Sequence, residues 1–77
     1  MRIQVYAMLK DYFEKEFVIA HPIDDVLTLK THLIEQNPRA KDILDISRFA
    51  VNNDFVELNQ SLKQNDNISI MPPSSGG

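Results

Sequence analysis

A chain of 77 residues makes one small domain, since domains rarely divide below about 100 residues. It contains no cysteine, which excludes disulfides, thiolate metal sites, a cysteine nucleophile and a side-chain persulfide. The formal charge of −3, with eight basic residues scattered along the chain, argues against unspecific nucleic-acid binding, which needs clustered Lys and Arg over phosphates.

A mildly acidic surface suits a basic protein partner. No apolar run approaches the roughly 20 residues that span a bilayer. The start, Met1-Arg2-Ile3-Gln4-Val5, has no basic segment leading into an apolar stretch. The expectation is a cytoplasmic protein with no membrane and no nucleic-acid partner.

In chain order, Ile3, Val5 and Ala7 alternate with Gln4, Tyr6 and Met8, which predicts a first strand with one buried face. Leu9 to Lys15 has no clear period and reads as the turn region of a hairpin. Glu16 to Ala20, with Phe17, Val18 and Ile19, is a second strand favoured by its β-branched residues. Asp25 is placed to cap a helix, its carboxylate accepting from the free N–H groups of the first turn. Val26, Leu29 and Leu33 recur at helical spacing, and Leu27 and Ile34 widen the stripe. Pro38 disfavours helical geometry at Asn37, so the helix ends near Gln36 or Asn37.

Arg39 to Ile46 holds a second short helical turn, with Ile43, Leu44 and Ile46 available for burial. Phe49-Ala50-Val51 is a strand, Asn52-Asn53-Asp54 a turn without glycine, and Phe55-Val56 the return strand. Leu58 to Asn65 is polar with one apolar anchor, Leu62. Ile68 to Met71 alternates as a last strand, ended by Pro72 and Pro73, which cannot donate to a ladder. One amphipathic helix must cover one face of one sheet. The order therefore predicts an α+β roll, a mixed sheet of four or five strands covered by one main helix.

Catalytic groupings are scarce. His21 and His32 are the two imidazoles; eleven residues apart, with no carboxylate at ligand spacing, they make no metal site. Asp24-Asp25 is better explained by capping than by acid–base chemistry. The serines lack a nucleophile elbow, and a phosphate loop needs internal glycines that the chain lacks. Phe13, Phe17, Phe49 and Phe55 read as core rather than as a base-stacking platform. Phe55, on a short edge strand, is the one most readily left for a partner.

The two glycines are Gly76 and Gly77, at the end of Met71-Pro72-Pro73-Ser74-Ser75-Gly76-Gly77, whereas average usage would place about five along such a chain. A Gly-Gly end alone also fits an ordinary tail of small residues. Its setting gives it more meaning. From Pro72 onward the chain reaches roughly 20 Å when extended, at about 3.4 Å per residue. Two prolines hold the first part of such an arm off the domain at low entropic cost. Ser74 and Ser75 are small enough for a narrow channel, and glycines let another backbone or a nucleotide approach the carboxylate. An ionised carboxylate is a poor electrophile, so it needs activation, for example as an acyl-adenylate. The pattern fits residues 1–71 as a folded domain and 72–77 as a flexible arm carrying a group on Gly77.

Several stretches resemble the small subunits of molybdopterin synthase, a sulfur-carrier branch of the ubiquitin-like β-grasp family. Tyr6-Ala7-Met8-Leu9-Lys10-Asp11 is similar to their aromatic-Ala-x-Leu-basic-acidic segment, and Phe49-Ala50-Val51-Asn52 to their apolar-Ala-Val-Asn segment. Gln64 to Ile70 is similar to the approach to their last strand, and Pro72 to Gly77 to their Pro-Pro-apolar-Ser/Ala-Gly-Gly end. Asn53 and Asn65 stand where glycine is usual, and Ser74 where an apolar residue is common.

The resemblance implies a ubiquitin-like β-grasp fold and a non-catalytic sulfur-carrier subunit with no permanently bound cofactor and no metal. A ubiquitin-activating-type enzyme would adenylate Gly77 with ATP, and a sulfurtransferase or cysteine desulfurase would supply sulfur to form a thiocarboxylate. The tail, through Pro72, Pro73, Ser74, Ser75 and Gly76, would enter the large subunit and deliver sulfur to cyclic pyranopterin monophosphate, within a heterotetramer of two small and two large subunits. A thiamine-pathway sulfur carrier shares these features, although the double proline favours the molybdopterin branch. A ubiquitin-like modifier and a plain β-grasp interaction module are the other readings.

Overall fold

In the computed structural model, which describes residues 1–73, the first alternation forms β1 (Arg2–Val5) with Ile3 and Val5 buried. The strand stops before Tyr6. Ala7 takes a φ of +54° and opens a 3₁₀ turn, Ala7–Asp11, that buries Leu9. A left-handed residue cannot continue a pleated strand, so Ala7 and Met8 lie exposed on the turn rather than in the strand that alternation predicts. β2 (Glu16–Val18) pairs antiparallel with β1. It ends two residues short of the expected Ala20. Beyond it the Ile19 N–H still donates to the Met1 carbonyl at 2.9 Å, and the terminal ammonium of Met1 donates back to the Ile19 carbonyl at 2.8 Å.

The main helix, α1 (Val26–Gln36), begins at Asp25, whose carboxylate accepts from the Thr28 N–H at 2.8 Å. Val26, Leu29 and Leu33 are buried against the sheet. Leu27, expected to widen that stripe, is instead 51% exposed, because one step from Val26 on a helix turns a side chain about 100° away. Asn37 closes the helix and donates from its side-chain amide to the Tyr12 carbonyl at 3.0 Å, tying the helix end to the first 3₁₀ turn. A second 3₁₀ turn, Pro38–Ala40, leads into α2 (Lys41–Ile46), the short helical segment predicted here. Leu44 and Ala40 are buried, whereas Ile46 is exposed, contrary to the burial expected for it.

β3 (Arg48–Val51) and β4 (Asp54–Val56) form a hairpin. Its turn uses Asn52 at φ +50° and Asn53 at φ +77°, two left-handed residues as a type I′ turn requires. The chain returns through Leu62, the buried anchor predicted for this stretch, and ends in β5 (Asn67–Met71). The strand order is β2-β1-β5-β3-β4, with β1 and β5 parallel and the other pairs antiparallel. Ile3, Ile68 and Val51 align across three strands, as do Val5, Ile70 and Phe49. These six buried side chains form the sheet's half of the core under α1, and the predicted α+β architecture holds.

Asp66 is the buried polar residue of this frame. Its carboxylate accepts from the Asn52 side-chain amide at 3.0 Å and from the Lys63 N–H at 2.7 Å. The Asn52 amide oxygen accepts in turn from the Asn67 N–H at 3.0 Å. This knot joins the hairpin turn to the start of β5. Asp66→Ala strands two donors and is expected to cost about 1–3 kcal/mol in urea unfolding. In the same assay Asn53→Ala is expected to cost about 1 kcal/mol more than Asn53→Gly, since glycine alone meets a left-handed φ without a Cβ clash.

Candidate functional site

β5 lies in the middle of the sheet, so the segment that follows it starts from a strand held on both sides. Pro72 is buried and Pro73 exposed, so the described chain passes from the packed body to solvent between the two prolines. Ser74, Ser75, Gly76 and Gly77, the remaining predicted site residues, lie outside the described residues.

Around that root the sheet face opposite α1 carries few apolar side chains: Ala50 is buried, whereas Met71 is partly covered and Phe55 exposed. Glu16, Gln4, Ser69, Ala50 and Phe55 follow one another across the sheet by register. In the neighbouring row Arg48 stands opposite Met71, the last residue of β5. Phe55 is 51% exposed, and the Arg48 guanidinium carbon lies 3.7 Å from its ring centroid. Tyr6, at the end of β1, is also exposed, and its N–H donates to the Ile70 carbonyl at 3.2 Å, beside the tail root. A groove of about 510 Å³, lined by Arg48, Phe55, Glu57 and Leu58 among others, runs along the β4 side.

Of the four phenylalanines, Phe49 is buried, and Phe13 and Phe17 are half-buried with ring centroids 6.2 Å apart. Phe55, the one set apart by its short edge strand, is the exposed one. Arg48, Met71 and Tyr6 escaped sequence reasoning. The alternation within β5 marks Ser69 and Met71 as outward-facing, but only the β3–β5 register brings Arg48 beside them.

The other candidates resolve into ordinary roles. Asp25 caps α1, and the Asp24 carbonyl accepts from the Leu62 N–H at 2.9 Å. His21 and His32 meet edge to face at 4.9 Å between centroids, a contact their spacing did not foretell. Among the described residues no group of three or more His, Cys, Asp or Glu is placed to hold a metal, and no helix is long and apolar enough to cross a membrane.

A mixed sheet of this order, with a parallel central pair and one main helix across one face, is a β-grasp fold. The small archaeal modifier protein 1 (SAMP1) from Methanosarcina acetivorans shares it, with a TM-score of 0.82 at 20% identity over 99% of this chain and 94% of that one. The family model described as the ThiS family matches residues 3–77, and the chain belongs to that family. A Dictyostelium discoideum protein named "Molybdopterin synthase sulfur carrier subunit" is 32% identical over 81 residues, covering 99% of this chain and 94% of the relative. The chain is also similar, at 27% identity and a TM-score of 0.71, to a chain in the complex of subunits 1 and 2 of the molybdopterin-converting factor from Helicobacter pylori, over 99% of this chain and 96% of that one.

The Asp25 carboxyl is held below its ordinary value of 3.8 by the Thr28 N–H and then by the Thr28 hydroxyl. A depressed folded-state pKa stabilises fully above the unfolded value, and that contribution is lost as pH falls through the folded value. Glu16, lowered by Gln4 and then Arg2, and Asp45, lowered by Lys41 and then Lys30, act in the same direction. Urea midpoints are expected to fall as pH drops below 3.8. Asp25→Asn, which keeps an acceptor but cannot titrate, is expected to remove part of that fall.

Proposed function

We propose that this protein is the sulfur carrier of molybdopterin biosynthesis, with the carboxylate of Gly77 as its working group. The observation that carries this reading is the placing of the tail root on the central strand, beside an open face with exposed aromatic side chains and no catalytic grouping of its own. The likeness to the Dictyostelium sulfur carrier subunit supports the choice of pathway. A chain without cysteine must carry sulfur on its backbone terminus.

In this reading an adenylating partner with ATP converts the Gly77 carboxylate to an acyl-adenylate and releases pyrophosphate. Persulfide sulfur from a sulfurtransferase or cysteine desulfurase attacks the carbonyl carbon and expels AMP. Cleavage of the resulting acyl disulfide by a thiol leaves the thiocarboxylate. The large synthase subunit takes up the tail, the thiocarboxylate sulfur bonds to cyclic pyranopterin monophosphate, and water cleaves the acyl–sulfur bond to restore the carboxylate; two loaded carriers supply the two sulfurs of one dithiolene. This chain supplies no acid or base: Gly76, Ser75 and Ser74 let the arm pass, Pro73 and Pro72 set its origin, and the open face around Met71, Tyr6 and Phe55 docks.

The test is intact mass after incubation with an activating enzyme, ATP and a sulfur source, followed by addition of the large subunit and the pterin. Exchange of one oxygen for one sulfur, then its loss with formation of the dithiolene, is the expected outcome. An unchanged mass with an enzyme set of proven activity overturns the reading, and lysine-linked adducts would indicate a modifier. Deleting Gly77 is expected to abolish sulfur transfer while leaving the thermal midpoint unchanged.

A further inference from the structure

We infer that Arg48, stacked on Phe55 at the root of the tail, is a specificity-determining residue of the docking face and receives a carboxylate of the large synthase subunit. The inference rests on the functional reading above and adds the chemistry of the partner's contact. Arg48 stands directly opposite Met71 in the β3–β5 ladder, so its backbone lies about 5 Å from the last residue before the prolines. Whatever surface receives the tail must pass over this side chain.

The guanidinium is held in place, and among the described residues no carboxylate neutralises it. Its carbon sits 3.7 Å from the Phe55 centroid. By register the position opposite Arg48 on the neighbouring strand is Glu57, but β4 ends at Val56, and among the described residues Arg48 forms no ion pair. The ion pairs among the described residues join Arg2 to Glu16, and Lys30 and Lys41 to Asp45. Stacking on an aromatic face leaves the in-plane N–H fork free, and that fork matches a carboxylate bidentately. The side chain is partly ordered before docking, which lowers the entropic cost of the contact.

Position makes the charge selective. Docking over Phe55 and Met71 removes water from the guanidinium, and a desolvated cation with no counter-charge is costly. A partner presenting a carboxylate satisfies it; a partner presenting an apolar or basic surface is rejected by the same group. On a chain of net charge −3, Arg48 is a local positive mark that sets register rather than general attraction.

The test measures affinity for the large subunit of the same organism by calorimetry at low and high NaCl, using the native chain, Arg48→Met and Arg48→Lys. Arg48→Met is expected to weaken binding about tenfold or more and to reduce its salt dependence. Arg48→Lys, which keeps the charge but loses the planar fork, should recover the salt dependence with only part of the affinity. Urea midpoints of all three verify that the fold is retained, and Arg48→Gln replaces any variant that unfolds. Native-like affinity and salt dependence in Arg48→Met, or in Arg48→Gln where it is used, overturn the inference while leaving the sulfur-carrier reading intact. A native chain that does not bind the large subunit overturns the functional reading itself, and this inference with it.

Discussion

The structure depends on β5 being hydrogen-bonded along both edges, to β1 in parallel and to β3 in antiparallel fashion. Pairing the first strand with the last closes the chain on itself, with β2 added outside β1, β3 and β4 outside β5, and the helical segment from α1 to α2 crossing between β2 and β3. Ile3 and Val5 meet Ile68 and Ile70 in the centre of the sheet, and α1 covers them. A slip of one residue would turn Ser69 and Met71 into the core and expose the isoleucines, because side chains alternate with a period of two. The buried Asp66, joined to Asn52 and Lys63, opposes such a slip at the start of β5. The register that protects the core also sets the point from which the tail departs.

That arrangement separates the rigid from the reactive. The body offers a sheet face, a groove and a fixed exit, while the proposed chemistry is confined to a backbone terminus activated elsewhere. Such a division suits a chain of this size. A small domain buries only around 60% of its unfolded surface, which leaves little stability to offset the strain of a catalytic site built into the core.

The same economy shows in the use of glycine. Ala7, Asn52 and Asn53 adopt positive φ, yet both glycines of the chain stand at its end. At Asn52 the side chain offsets the backbone cost, since its amide bonds both Asp66 and the Asn67 N–H. At Ala7 no side chain can do so; the turn is held by the burial of Leu9 and by the Tyr12 and Phe13 N–H groups donating to its carbonyl. Glycine is thus withheld from the turns that ordinarily use it and, in the proposed reading, placed where another molecule approaches the terminal carboxylate.

By itself the sequence determined the local features: the Asp25 cap, the helix stripe of Val26, Leu29 and Leu33, the stop before Pro38, the Asn52-Asn53 turn and the unusual end after β5. Each follows from near-neighbour sterics and hydrogen bonding, which act within a few residues. Tertiary structure alone decided what depends on distant partners. It turned Ala7 out of the strand, left Leu27 and Ile46 in solvent, brought His21 against His32 and buried Pro72. It also set Arg48 beside Met71 and over Phe55, from three strands whose order no local signal encodes. Strand register is settled by the packing of the whole sheet, so the surface around the tail could be seen only once the fold was complete.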